Sequence, residues 1–112
     1  MDRENKFVKQ GVSLNEYTMH KYISSLGIVN TPKIISYDLH NKILTMEKVP
    51  NECISNIYGE NDHNIDAETY SKIRQIIKRL YDNEIEYPDI TGYNFIEYDN
   101  NIWIIDFEHA SF

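Results

Sequence analysis

Cysteine is nearly missing from this 112-residue chain. A lone thiol, Cys53, cannot close an internal disulfide, so a disulfide framework and a cysteine-rich metal site are both excluded. No apolar run approaches the roughly 20 residues that a membrane-spanning helix needs. The opening Met1-Asp2-Arg3-Glu4-Asn5-Lys6 is too polar for a secretory signal, and no membrane partner is expected. Cations are also in short supply. Eleven Lys and Arg stand against 18 Asp and Glu, for a net charge of -7. Nucleic acid binding is driven by cations, so that class of partner is not expected either. His20, His40 and His63 are scattered without metal-site spacing, and each is expected at the surface. Repeats and low-complexity tracts are absent.

What is there suits one globular domain with a modest core. Hydrophobic content is 41% and charged content 26%, both ordinary for a soluble protein. Cytoplasm is the expected location. Abundant isoleucine, asparagine, lysine and tyrosine point to an AT-rich genome, and host cytoplasm applies if the source is a large DNA virus.

The chain reads as a small α+β fold. Residues 6–9 form a short strand ending at Gly11. Ser13-Leu14-Asn15-Glu16 fits a capping box, with Ser13 capping and Glu16 reaching back. The helix it opens runs to about Leu26 and stops at Gly27, a preferred residue past a helix end. Met19, Tyr22, Ile23 and Leu26 are its apolar positions. Residues 34–37 and 43–46 are strands joined by Asp38-Leu39-His40-Asn41. Residues 51–65 read as a polar loop. Asp66 caps a long helix over about 67–82, with Tyr70, Ile73, Ile77 and Leu80 as its stripe, joined by Ile76 and Tyr81. A hairpin follows: strand 93–98, turn Asp99-Asn100-Asn101, strand 102–107. Its aromatics are expected mostly in the core against the long helix.

The hairpin brings its ends together. Asn94 and Asp106 should then face one small volume, with Asp89 on the loop before them. Phosphoryl transfer uses such a trio, because it needs positioning and charge neutralisation more than covalent help. An amide and a carboxylate, Asn94 and Asp106, can hold magnesium against phosphates. A separate carboxylate, Asp89, can accept the substrate's hydroxyl proton. The spacing Asp89-Ile-Thr-Gly-Tyr-Asn94, followed by Asp106-Phe107-Glu108 after an apolar strand, resembles the protein-kinase-like superfamily. Glu108 in place of glycine is similar to the choline-kinase and aminoglycoside-phosphotransferase branch. The text from Asn15-Glu16 through Leu26-Gly27-Ile28 to Thr31-Pro32-Lys33-Ile34-Ile35 resembles the small atypical kinases.

That resemblance implies a minimal kinase-like fold and an ATP- and magnesium-dependent phosphotransferase. Lys9 and Glu16 would pair and steer the phosphates. Met46, Glu47 and Val49 would form the hinge, with backbone groups on the adenine edge. Residues 6–49 would be a reduced N-terminal lobe (a small antiparallel sheet with one helix), 50–65 a hinge and linker, and 66–112 a reduced C-terminal lobe. The expected departures are no glycine-rich loop before Lys9, Tyr87-Pro88 in place of His-Arg before Asp89, and no activation segment after Asp106. They keep a second reading open: a pseudokinase-like binding module, with a protein partner or self-association completing the truncated lobes.

Overall fold

The computed structural model describes residues 6–51, 53, 54, 57, 66–88, 90 and 92–112. Among them are two helices, a three-stranded antiparallel sheet and a two-stranded hairpin, a small α+β architecture of minimal kinase-like form. Most of the expected 51–65 loop, with His63, lies outside the described residues, as does Asp89.

Strand β1 (Lys6–Gln10) leads into helix α1 (Leu14–Leu26). Ser13 caps α1 through its hydroxyl, which accepts the Glu16 N–H at 3.1 Å, satisfying one of the helix's orphan donors. The second half of the expected capping box does not form, because the Glu16 carboxylate turns to Lys9 instead. Gly27 ends the helix at φ 67, a left-handed conformation that a side chain disfavours. Strands β2 (Ile34–Asp38) and β3 (Ile43–Glu47) form a hairpin. The Asp38 carboxylate holds its turn by accepting the Asn41 backbone N–H at 3.1 Å and the Asn41 side-chain amide at 2.8 Å. β3 is central, in the order β1-β3-β2, with Lys9 opposite Leu44 and Phe7 opposite Met46.

Helix α2 (Ala67–Asp82) starts at Asp66, whose carboxylate accepts the Thr69 N–H at 2.7 Å. It ends with Glu84 at φ 63. The Glu84 N–H reaches the Tyr81 carbonyl and the Ile85 N–H the Leu80 carbonyl, the two bonds of a Schellman motif. The last two strands are β4 (Phe95–Tyr98) and β5 (Asn101–Ile104). Their turn has two residues rather than three. Asp99 and Asn100 both have positive φ, 53 and 62, which is the type I′ geometry that matches strand twist. Tyr93 and Asn94 belong to a 3₁₀ turn (Gly92–Asn94) rather than to the strand, and the ladder ends at Ile104 instead of running on to Phe107.

One main core joins α1, α2 and the hairpin through Met19, Ile23, Ile73, Leu80, Phe95 and Phe107, among others. A smaller cluster, Val12, Leu44 and Met46, sits against the three-stranded sheet. The inner stripe of α1 is Glu16, Met19, His20 and Ile23. Tyr22 is exposed, so this helix's stripe is shifted from the one expected. His20 is buried at 1% exposure, not at the surface. Its Nε2 lies 2.8 Å from both the Pro32 carbonyl and the Thr31 hydroxyl, and its ring tilts against Phe107 at 4.8 Å. The α2 stripe is Thr69, Ile73, Ile76 and Leu80, and Tyr70 and Tyr81 point to solvent. Of the hairpin aromatics, Phe95 and Phe107 are buried, whereas Tyr93 and Tyr98 are exposed.

Candidate functional site

Three ionisable side chains from three separate elements converge. Lys9 Nζ lies 2.6 Å from Glu16 Oε2 and 3.3 Å from Asp106 Oδ1. Each is placed by a local reason. Lys9 stands at a position of β1 that faces inward, two residues from Phe7 on the same face, as strand alternation requires. Glu16 occupies the first turn of α1, set there by the Ser13 cap. Asp106 follows the end of the β4–β5 ladder, where the chain leaves the sheet. Its Oδ1 also accepts the Glu108 N–H at 2.9 Å, and its carbonyl accepts the Tyr87 hydroxyl at 2.5 Å.

The electrostatics follow from partial burial. Burial alone would lower the Lys9 pKa. The hydrogen bond to Glu16, with the charges of Asp106 and Glu16, outweighs it and holds the ammonium above its ordinary value. The Glu16 carboxyl is pushed up, chiefly by burial, which exceeds the opposing pull of Lys9. Burial likewise pushes the His20 imidazole down, against its hydrogen bond to the Pro32 carbonyl.

Lys9 and Asp106 line a cleft of about 240 Å³ between the sheet and the hairpin. Met46, Glu47 and Val49 line the same cleft at the exit of β3. Five of the eight residues singled out from sequence therefore share one cavity. Glu16 sits behind Lys9, buried at 4% side-chain exposure. Asn94 is nearly buried, and its backbone carbonyl accepts the Ile105 N–H at 3.0 Å, which sets it beside the segment that carries Asp106. Asp89 is outside the described residues. Sequence reasoning missed the apolar walls: Phe7 from β1, Pro32 from the loop before β2, and Ile96 and Ile105 from the hairpin side. Phe7 was findable by its two-residue offset from Lys9. Ile96 was not, because its facing depends on the hairpin's register. The cleft's lower edge is tied down by the Asn51 amide, which donates to the Glu97 carbonyl at 2.7 Å, and by a bridge between Cys53 and Ile96.

The donor set bears on which metal could fit. Among the described residues, no group of three or more His, Cys, Asp or Glu is placed to hold an ion. Asp106 Oδ1 is engaged by Lys9 and Glu108, while Oδ2 has no partner among the described residues. A single hard carboxylate oxygen suits magnesium, which keeps several waters and shares phosphate oxygens. It does not suit zinc, which takes a full set of nitrogen and sulfur ligands in its structural sites.

Comparison with known proteins agrees with this geometry. No curated protein matches the chain significantly. A family profile described as the RIO domain matches residues 3–110, nearly the whole chain. A strand lysine, a helix glutamate and an aspartate after the last strand, meeting at one cleft, accordingly sit in a chain that belongs to the RIO-domain family, the atypical protein kinases of the kinase-like superfamily.

Proposed function

We propose that the chain is an ATP- and magnesium-dependent phosphotransferase using the cleft between sheet and hairpin. The observation that carries the reading is the Lys9–Glu16 pair abutting Asp106 at a cavity that Met46, Glu47 and Val49 also line. Backbone groups of Glu47 and Val49 would take the adenine edge, with Met46 behind the base and Phe7 and Ile96 on its faces. Lys9, oriented by Glu16, would hold the phosphates. Asp106 and Asn94 would supply oxygen ligands to magnesium, which when bound neutralises phosphate charge. Asp89 would accept the acceptor's hydroxyl proton while the new O–P bond forms and the bond to the departing ADP breaks.

A base acts during transfer, while a metal ligand acts in binding as well. Asp89→Asn is therefore expected to keep MgATP affinity within a few-fold and to lower turnover by roughly 10²–10⁴. Asp106→Asn is expected to weaken MgATP binding too. Calorimetry and phosphate-transfer assays on both variants test this, and full turnover by Asp89→Asn would sink the mechanism. A pseudokinase-like binding module is the second reading. It is favoured by Val8, 56% exposed on the face of β1 away from the cleft, which offers apolar surface to a protein partner or to another copy. Wild-type protein without turnover, whose Asp89 and Asp106 variants fold and bind a partner equally, would replace the enzyme reading with this one.

A further inference from the structure

Among the described residues, the phosphotransferase reading leaves one buried ionisable group without a role, His20. An imidazole in the interior costs stability unless its polar atoms are met, so a plain core position on α1 would favour an aliphatic side chain. The position is not a plain one. Glu16, which holds Lys9, lies four residues earlier on the same buried face, one helical turn away.

His20 touches the supports of two parts of the cleft. Its Nε2 donates to the Pro32 carbonyl at 2.8 Å. A carbonyl only accepts, so Nε2 carries the hydrogen in either charge state. The Thr31 hydroxyl, 2.8 Å from the same nitrogen, donates to the same carbonyl at 3.3 Å. Pro32 itself lines the cleft. The next residue, Lys33, accepts the Glu47 N–H on its carbonyl at 2.9 Å, and Ile34 pairs with Met46. The loop that His20 holds is thus the one that braces the Met46–Glu47 end of β3. On its other side the imidazole packs on the buried Phe107 ring at 4.8 Å, and Phe107 directly follows Asp106.

We propose that His20 is a positioning residue of the cleft: its bond to the Pro32 carbonyl and its contact with Phe107 set where Met46 and Glu47 stand relative to Lys9 and Asp106. The proposal rests on the phosphotransferase reading for what fills the cleft, but not for the geometry. His20 touches no ligand and transfers no proton. An apolar side chain could fill the space against Phe107 but could not fix the loop, because packing is non-directional and a hydrogen bond is directional. The charged groups on the elements around it are Glu16 and Lys21 on α1, Lys9 on β1, Lys33 beyond Pro32, and Asp106, Glu108 and His109 around Phe107. Of these Lys9 acts on the imidazole and opposes a second cation, as burial does. Protonation of His20 therefore works against the packed arrangement.

Two variants of the full chain test this. His20→Phe keeps a flat ring for Phe107 and removes the donor, whereas His20→Gln restores an N–H donor toward the Pro32 carbonyl. Both are followed by amide NMR and by calorimetric titration with MgATP at pH 7.5 and 5.5. The Glu47 N–H reports the loop through Lys33, and the Glu108 N–H reports Asp106, whose Oδ1 it meets. In His20→Phe both signals should move and MgATP affinity should fall about fivefold or more. His20→Gln should return both signals and bring affinity to within about twofold of the parent at pH 7.5. Between pH 7.5 and 5.5 the parent should lose more affinity than His20→Gln, which cannot titrate at this position. A His20→Phe chain with parental affinity and unmoved Glu47 and Glu108 signals overturns the proposal, and so does a His20→Gln chain as impaired as His20→Phe. Should His20→Phe fail to fold, the pH profiles of parent and His20→Gln decide, and equal profiles overturn it. A folded parent that does not bind MgATP removes the phosphotransferase reading instead, and the Glu47 and Glu108 signals then decide the positioning alone.

Discussion

The two helices bury the same kind of stripe and fill it differently. In α1 the buried positions are Glu16, Met19, His20 and Ile23; in α2 they are Thr69, Ile73, Ile76 and Leu80. The spacing is that of one helix face in both cases. α2 buries three large aliphatic side chains and one threonine, whose hydroxyl donates to Glu97 at 2.9 Å. α1 buries two ionisable groups, each of which needs a partner from a distant segment: Lys9 for Glu16, and Pro32 with Thr31 for His20. A buried polar group without such a partner costs stability, so α1 is held by specific bonds where α2 is held by apolar area. The departures from an apolar stripe occur on the helix whose Glu16 holds Lys9, a residue lining the cleft between sheet and hairpin, as expected when a site is built at the expense of local consistency.

The largest effects should separate the helices by kind. Leu80→Ala in α2 removes a fully buried side chain and should cost about 2–5 kcal/mol. Thermal unfolding should fall on the order of 10 °C or more, with MgATP affinity of the folded protein unchanged. In α1, Lys9→Met strands the Glu16 carboxylate in the interior and should cost about 3 kcal/mol. The double change Lys9→Met with Glu16→Leu should return stability to within about 1 kcal/mol of the parent, yet abolish MgATP binding. Urea unfolding with calorimetry measures both. A double variant as unstable as Lys9→Met alone would mean that the pair is structural cement, and the contrast with α2 would collapse.

A smaller effect sharpens the same contrast through pH. The folded His20 stays neutral below the pH at which the unfolded residue protonates, because burial holds its pKa down. The unfolded state then binds more protons, and stability falls as pH drops from about 6.5, by at most about 1.4 kcal/mol per unit. Glu16 works in the opposite sense. Its raised pKa means the folded state takes up a proton first, which relieves its burial penalty as pH falls toward 4.5. Lys9, also raised, keeps its charge through this range and loses it only above 10.5. Urea midpoints at pH 7 and 5.5 should therefore drop more in the parent than in His20→Gln. An identical drop in both would place the titration elsewhere.

The smallest expected effect compares the helix ends. Both terminate through a left-handed residue, Gly27 at φ 67 after α1 and Glu84 at φ 63 after α2. Glutamate is strained there and glycine is not. Glu84→Gly should stabilise by about 0.5–1 kcal/mol, and Gly27→Ala should destabilise by about 1 kcal/mol. An added Cβ at Gly27 would meet nothing within 4 Å, so its cost would come from the backbone alone. Thermal melts resolve both signs.

Local signals in the sequence determined the helices and turns. Ser13 and Asp66 marked the two helix starts and Gly27 one helix end, because a cap involves only residues within a few positions. The Asp99-Asn100 turn was legible for the same reason, although its length and the hairpin's register were not. The Lys9–Glu16 pairing was legible through the resemblance of the surrounding text to small atypical kinases. What tertiary structure decided is where a residue had two local options. Glu16 could complete a capping box or pair with Lys9, and the approach of β1 to α1 settled it at 2.6 Å. His20 reads as a surface residue until the loop at Thr31 and Pro32 and the ring of Phe107 enclose it. Lys9 and Asp106 are 97 positions apart, too far for any local propensity to relate them. Their meeting depends on one shared core that holds α1 against the hairpin, and burial of that core is set by the whole chain at once.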